Sequence, residues 1–160
     1  ETPEQVSKGW DAALNRTFTK TQFKTLKSGQ SFYFLNTHFD HQGRQAQLQS
    51  ALLLKTEVEQ LPADAQVVLT GDFNVTPESA PYLALTNTLL DSAVVASNKL
   101  SKDSGTFNGF GRDPLSPSQT IDYIWVSKNL RVQSYQVDNR RYNGLYPSDH
   151  EAVVAVIALK

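Results

Sequence analysis

Short polar clusters at the ends of strand-length apolar runs constrain this chain more than any other feature. Phe32-Tyr33-Phe34-Leu35 leads into Asn36-Thr37-His38, and Val67-Val68-Leu69-Thr70 leads into Gly71-Asp72-Phe73-Asn74. Ser148-Asp149-His150 stands just before the final apolar run. Strand ends can bring carboxylates, amides and imidazoles together in space while they lie far apart in sequence. Such a set suits metal-assisted hydrolysis on a sheet scaffold.

The rest of the chain reads as an α/β protein with one main sheet. Arg16–Leu26 and Phe32–Thr37 alternate as the strands of a hairpin around Lys27-Ser28-Gly29-Gln30. A helix is predicted from Arg44 to Gln60, with Leu48, Ala51, Leu52, Val58 and Leu61 as its apolar stripe, stopped by Pro62. Val67–Thr70 is continuously apolar, as in a strand covered on both faces. Thr76-Pro77 is the expected N-cap and first turn of a short helix through Leu85. Residues 97–120 read as loop, Ile121–Ser127 and Leu130–Val137 as strands joined at Lys128-Asn129, residues 140–147 as loop and Glu151–Leu159 as the last strand.

Composition narrows the function. The 160 residues are 39% hydrophobic and 19% charged, a globular balance that buries roughly two-thirds of the unfolded surface. No apolar run approaches the roughly 18 residues that cross a bilayer. A net charge of −1 argues against a strong electrostatic grip on nucleic acid, although Lys128, Arg131, Arg140 and Arg141 cluster in sequence. The absence of cysteine excludes disulfides, thiolate catalysis and cysteine zinc sites. Methionine is absent even at position 1, and Glu1-Thr2-Pro3-Glu4 has no signal-peptide character, so the chain is expected to be part of something longer and its compartment stays open.

The polar residues carry specific chemistry. Asp72 can orient or activate a water and Asn74 can donate to a phosphate oxygen, although Gly, Asp and Asn are equally ordinary turn residues. Asp149 can bind a hard cation while His150 serves as base or phosphate partner. Asp122, at the start of an apolar strand, needs a partner, and a nearby imidazolium would serve and have its pKa raised in return.

In their order, Asn36-Thr37-His38-Phe39-Asp40-His41, Gly71-Asp72-Phe73-Asn74, Thr106-Phe107-Asn108-Gly109-Phe110, Ile121-Asp122-Tyr123-Ile124-Trp125-Val126 and Ser148-Asp149-His150 resemble the endonuclease/exonuclease/phosphatase superfamily of metal-dependent phosphoesterases. Glu1-Thr2-Pro3 and Gly9-Trp10-Asp11-Ala12-Ala13-Leu14 resemble its bacterial branch, where a secreted or periplasmic location is open. The resemblance implies a catalytic set of His38, Asp72, Asn74, Asp122 and His150, with metal at Asp149 and Asp72. It implies substrate contacts from Asn74, Asn108 and Arg44, while Asp40, His41 and Phe110 shape the cleft. It also implies Mg²⁺, with Mn²⁺ as the alternative ion.

Two departures set further expectations. Thr120 stands where relatives often carry a basic residue. The strands bearing an Asn and a metal-binding Glu have no counterpart, so residues 1–160 are read as a single partial domain. That domain is the C-terminal half of a four-layer α/β sandwich, a mixed sheet with helices on one face. Phe32, Phe34, Val68, Ile124, Val126, Val153 and Ile157 would then form an apolar face, covered by a second copy or by the missing half. The expected function is phosphodiester or phosphomonoester hydrolysis by metal-assisted attack of water, weak or absent in this chain alone. A non-catalytic binding module or decayed member is the alternative. Substrates implied by the family are phosphorylated small molecules, lipid headgroups or nucleic acid, and the near-neutral charge leans away from duplex DNA.

Overall fold

The main sheet grows outward from β3 (Val67–Asp72), the most apolar run in the chain. In the computed structural model, which describes residues 5–102, 104–112, 116 and 119–159, β3 lies parallel to β2 (Ser31–His38) and antiparallel to β6 (Asp122–Ser127). β1 (Phe18–Lys24) extends the sheet as the hairpin partner of β2, and β4 (Leu89–Asp91) closes the far edge against β6. The order is β1-β2-β3-β6-β4. The parallel β2–β3 pair requires a crossover, supplied by α1 (Arg44–Glu59). The class is therefore mixed α/β, as expected.

One face of this sheet carries the larger core. Leu35, Leu69, Tyr123 and Trp125 pack beneath Ala51, Leu54 and Val58 of α1 and Tyr82 and Leu85 of α2 (Ala80–Thr86). The stripe of α1 differs from its sequence reading. Leu54 is buried while Leu52 is 39% exposed, because the run Ala51-Leu52-Leu53-Leu54 leaves the helical phase undetermined until a sheet face selects it. The start of α2 also moves. Glu78 takes a left-handed φ of 71°, which breaks any helix begun at Thr76-Pro77, and Ser79 becomes the N-cap with Pro81 in the first turn.

The N-terminus of α1 has no side-chain cap of its own. Asp11, from the lead-in, takes that role by accepting from the backbone of Ala46 at 2.7 Å and Gln45 at 3.2 Å. Gly43 is required at this junction, since a Cβ there would sit 2.7 Å from the Asp11 carbonyl oxygen. The motif Gly9–Leu14 is thus tied to the fold, while Glu1-Thr2-Pro3 lies outside the described residues.

The expectation of one main sheet is corrected. β7 (Arg131–Asp138) does not pair with β6; it joins β8 (Ala152–Ala158) and the short β5 (Asn98–Lys99) in a second sheet, ordered β5-β7-β8. Between the sheets, α3 (Ser92–Val95) follows β4 directly. The turn after β6 is held by Asn129, whose amide donates to the Asp64 carbonyl at 2.7 Å, and it carries the chain from one sheet to the other. Val68 and Val126, expected on a face covered by a second copy or the missing half, are instead buried with Leu130 and Val132 of the chain itself, between the two sheets. Phe32, Phe34, Ile124, Val153 and Ile157 are half-buried, and the last two belong to the second sheet.

Gly71 shows how tightly β3 meets β2. A Cβ at this position would run into the backbone carbonyl of Thr37, its partner in the register. Neither backbone can retreat without breaking the ladder. Gly71→Ala is therefore expected to cost about 2 kcal/mol or more, read as a lower denaturant midpoint in urea unfolding; an unchanged midpoint would refute the close approach.

Candidate active site

Strand register builds the site. His38 stands opposite Asp72 in the β2–β3 pair, and Asp72 stands opposite Asp122 in the β3–β6 pair. Residues in register share a face, so the three form a row across adjacent strand ends, on the face turned away from α1 and α2. His150 reaches this row from the second sheet, on the segment leading into β8.

Asp122 finds the partner its burial demands. Its Oδ2 accepts from His150 Nδ1 at 2.8 Å, and because an ionised carboxylate can only accept, the neutral imidazole carries its proton on Nδ1. Nε2 is left facing Asp72 Oδ2 at 3.9 Å, and His38 Nε2 approaches the same oxygen at 3.2 Å. The other Asp72 oxygen accepts from the backbone of Asn74 at 2.8 Å. Asp72 is therefore held between two imidazoles.

Burial is the largest influence on Asp122 and raises its pKa; hydrogen bonds from Thr106 and His150 only partly oppose it. For His150, burial favours the neutral ring, but the hydrogen bond and charge of Asp122, then Asp72 and Asp149, outweigh it and move the pKa upward. The raised histidine foreseen for a partner of Asp122 is present.

The remaining sequence-predicted residues are placed differently. Asp72, Asp122 and His150 bring three ligand atoms within 4.8 Å of one another, whereas the sequence reading put metal on Asp149 and Asp72. Asp149 lies beside His150 without joining that group; its backbone carbonyl accepts from Asn108 and Gly109 at 2.8 and 3.1 Å. Asn74 has a φ of 50° and spends one amide hydrogen on the Phe39 carbonyl at 3.0 Å, fastening the β3 turn to β2. Asn108 does not face solvent. Fully buried, it donates to Glu151 at 3.0 Å and Ser148 at 3.3 Å and accepts from Phe110 at 2.7 Å, bonds that brace the His150 segment. Arg44 opens α1 as an exposed residue and makes no hydrogen bond or ion pair with the cluster. Thr120, at the departure position, accepts from the Tyr123 hydroxyl at 2.7 Å.

Sequence reasoning missed two supports. Thr106 is fully buried, and its hydroxyl accepts from the backbone of Ile121 and Asp122 at 3.0 and 3.1 Å, setting the start of β6. Glu151, 4% exposed, takes both arms of Arg141 at 2.6 and 3.0 Å as well as the amide of Asn108. The signal for Glu151 was available, since a carboxylate heading an apolar strand needs a partner just as Asp122 does. Thr106 had none beyond its place in a resembling string.

The family profile described as the Endonuclease/Exonuclease/phosphatase family matches residues 5–150. The chain belongs to that family. Among solved structures, a mannosyl-6-phosphatase, Bt3783, from Bacteroides thetaiotaomicron VPI-5482 is 34% identical with a TM-score of 0.87, aligned over 96% of this chain and 61% of its own. A family protein from Bacteroides vulgatus is also 34% identical, with a TM-score of 0.88 over 96% of this chain and 59% of its own. The human Nocturnin catalytic domain, 23% identical with a TM-score of 0.65 over 90% of this chain and 53% of its own, shares the fold. The chain spans about three-fifths of the length of the two Bacteroides relatives. No curated protein gives a match.

Asp40, in the same string as His38, ties the site's rim together. Burial would raise its pKa, yet backbone donors from Gly43, Leu14, Gln42 and Ala13 more than compensate and hold it well below the usual carboxylate range. A depressed folded-state pKa gives stability that is complete above the unfolded value of about 3.9 and is lost as pH falls toward the folded value. Asp40→Asn is expected to cost about 1–3 kcal/mol at pH 7, with the gap to the parent narrowing below about pH 4. Urea midpoints measured from pH 7 to 2 would show it, and a gap independent of pH would refute the charged role.

Proposed function

We propose that the row His38–Asp72–Asp122 with His150 is a phosphoester-hydrolysing centre that works with a divalent cation. The observation that carries this reading is the Asp122–His150 pair, with the free Nε2 of His150 and the Nε2 of His38 converging on one Asp72 oxygen. Two imidazoles aimed at one point can serve as donors to a phosphate and as proton carriers on either side of an in-line displacement.

Charge supports the metal. Asp72, Asp122 and Asp149 supply three carboxylates against two imidazoles, so the site would repel a phosphate ester unless a cation joined it. Asp122 is engaged by His150 and Thr106. By the family resemblance the oxygen donors that would hold a hard ion are Asp72 and Asp149, which favours Mg²⁺ over Zn²⁺, with Mn²⁺ as the alternative. When bound, the cation offsets the charge that develops on the phosphoryl oxygens. Asp72 then positions the attacking water and Asn74 turns its remaining amide hydrogen to a phosphate oxygen. His150 takes or donates a proton at Nε2 while Asp122 fixes its tautomer, and His38 serves the leaving oxygen.

A small phosphorylated molecule is the favoured substrate class, supported by the near-neutral charge and by the phosphatase among the 34% identical relatives. The reading of this chain as the C-terminal part of a larger sandwich belongs to the same proposal, supported by the share of the relatives' length it spans. Phe23, which stacks on Phe32 at 5.5 Å and meets Phe34 edge-on at 6.4 Å between centroids, marks with them where further chain or a second copy would pack.

Binding of inorganic phosphate, followed by calorimetry, should require Mg²⁺ and be lost in Asp72→Ala. Hydrolysis of bis(p-nitrophenyl) phosphate by the 160 residues, expected to be weak, should fall about 100-fold or more in His150→Ala. Phosphate binding indifferent to both Mg²⁺ and Asp72 would overturn the proposal.

A further inference from the structure

The strand ends that carry His38 and Asp72 run on into turns that are laced together beyond the ladder. The backbone amide of Phe39 donates to the Asp72 carbonyl at 2.9 Å, and the Asn74 side chain donates to the Phe39 carbonyl at 3.0 Å. A side chain from α1 joins the same two turns. Gln47, half-buried in the first turn of the helix, directs its Nε2 to the Asp40 carbonyl at 2.9 Å and to the Asn74 carbonyl at 3.1 Å. A primary amide carries two hydrogens, so one nitrogen serves both carbonyls at once. The backbone of Gln47 is fixed in turn, its N–H donating to the Gly43 carbonyl at 2.9 Å.

Asn74 needs such support. Its φ of 50° lies in the left-handed region, which is uncommon for residues other than glycine. Three bonds hold it there: its N–H donates to Asp72 at 2.8 Å, its side chain donates to Phe39, and its carbonyl accepts from Gln47. The first two bind Asn74 to the strands on which the site is built. The third arrives from the helix and closes the turn from outside. Without it the Asn74 carbonyl is free to rotate, and the same rotation draws the side chain off the Phe39 carbonyl. The amide hydrogen left over for a ligand would then have no fixed direction, and that freedom would have to be lost on binding.

We infer that Gln47 is a positioning residue of this centre, aiming the Asn74 amide at a phosphate oxygen by tying the turn after β3 to the turn after β2. The inference rests on the phosphoesterase reading and gives Gln47 no contact of its own with phosphate or cation. Its effect on the ligand is transmitted through Asn74.

A double-mutant cycle on the whole chain tests it without turnover, with inorganic phosphate binding in the presence of Mg²⁺ followed by calorimetry. The proteins are the parent, Gln47→Met, Asn74→Gly and the double variant. Methionine matches the length of glutamine without its donors, and glycine removes the Asn74 amide while remaining at ease at positive φ. Gln47→Met should weaken phosphate binding about five- to tenfold in the parent. In the Asn74→Gly background the same substitution should change affinity less than about twofold, because the group through which it acts is gone. Gln47→Asn keeps the amide but withdraws it by one methylene, and it gives the same comparison should Gln47→Met fail to fold. Equal losses in both backgrounds would overturn the inference and leave the phosphoesterase reading standing. So would a Gln47→Met protein whose urea midpoint falls while its phosphate affinity holds, since Gln47 would then serve stability alone. Phosphate affinity unmoved by Asn74→Gly would remove the group that Gln47 is said to aim and overturn the inference likewise. Failure of the parent to bind phosphate with Mg²⁺ would bring down the centre itself and the inference with it.

Discussion

Two carboxylates directly across a strand pair are the constraint around which this molecule is arranged. Asp72 and Asp122 face each other in the β3–β6 register, a position where like charges destabilise an antiparallel pair. The fold tolerates them because each has an imidazole: His38 reaches Asp72, and His150 reaches Asp122. The hydroxyl of Thr106 adds a further donor to Asp122. The row that the proposed function draws on is therefore also the electrostatic repair of the sheet end. A single carboxylate lost from the row would relieve repulsion as well as remove a hydrogen-bond acceptor, so its effect on stability need not be a loss.

Much of this was legible in the residues. The run Val67–Thr70 reads as a strand covered on both faces, and it is covered by helices on one side and by the second sheet on the other. The need of Asp122 for a partner follows from a carboxylate in an apolar context, and the structure supplies His150 at 2.8 Å. What the residues could not reveal were quantities fixed only by tertiary geometry. The phase of α1 was ambiguous across Ala51–Leu54 until it met the sheet. The separation of β6 from β7 into different sheets depends on side chains at Ser127 and Asn129 that grip the β3 entry and the Asp64 carbonyl, contacts more than sixty residues apart in sequence for the latter. Local pattern carries no information on such pairings.

The site residues divide along the same line. Strand-end position identified His38, Asp72 and Asp122, because register alone aligns them. Asn108 and Glu151 are different: an asparagine in a loop looks available to a ligand, and only burial reveals that its amide is spent on holding the segment around Asp149. The arrangement behind His150 resembles a small buried keystone in which Glu151 joins Arg141, Asn108 and, through its backbone, Thr106. Removing one partner of such a set leaves the others unsatisfied, which is costlier than the worth of any one bond.

The site also straddles a seam. His38, Asp72 and Asp122 ride on the five-stranded sheet, while His150 enters from the segment that leads into β8 of the other. Between them lies the apolar layer around Val68, Val126, Leu130 and Val132. The separation of His150 from Asp72 is thus set by how far apart that layer holds the two sheets. The imidazole is in effect a gauge of inter-sheet spacing, and a change of one methylene at Val132 would be registered at the row of His38, Asp72 and Asp122.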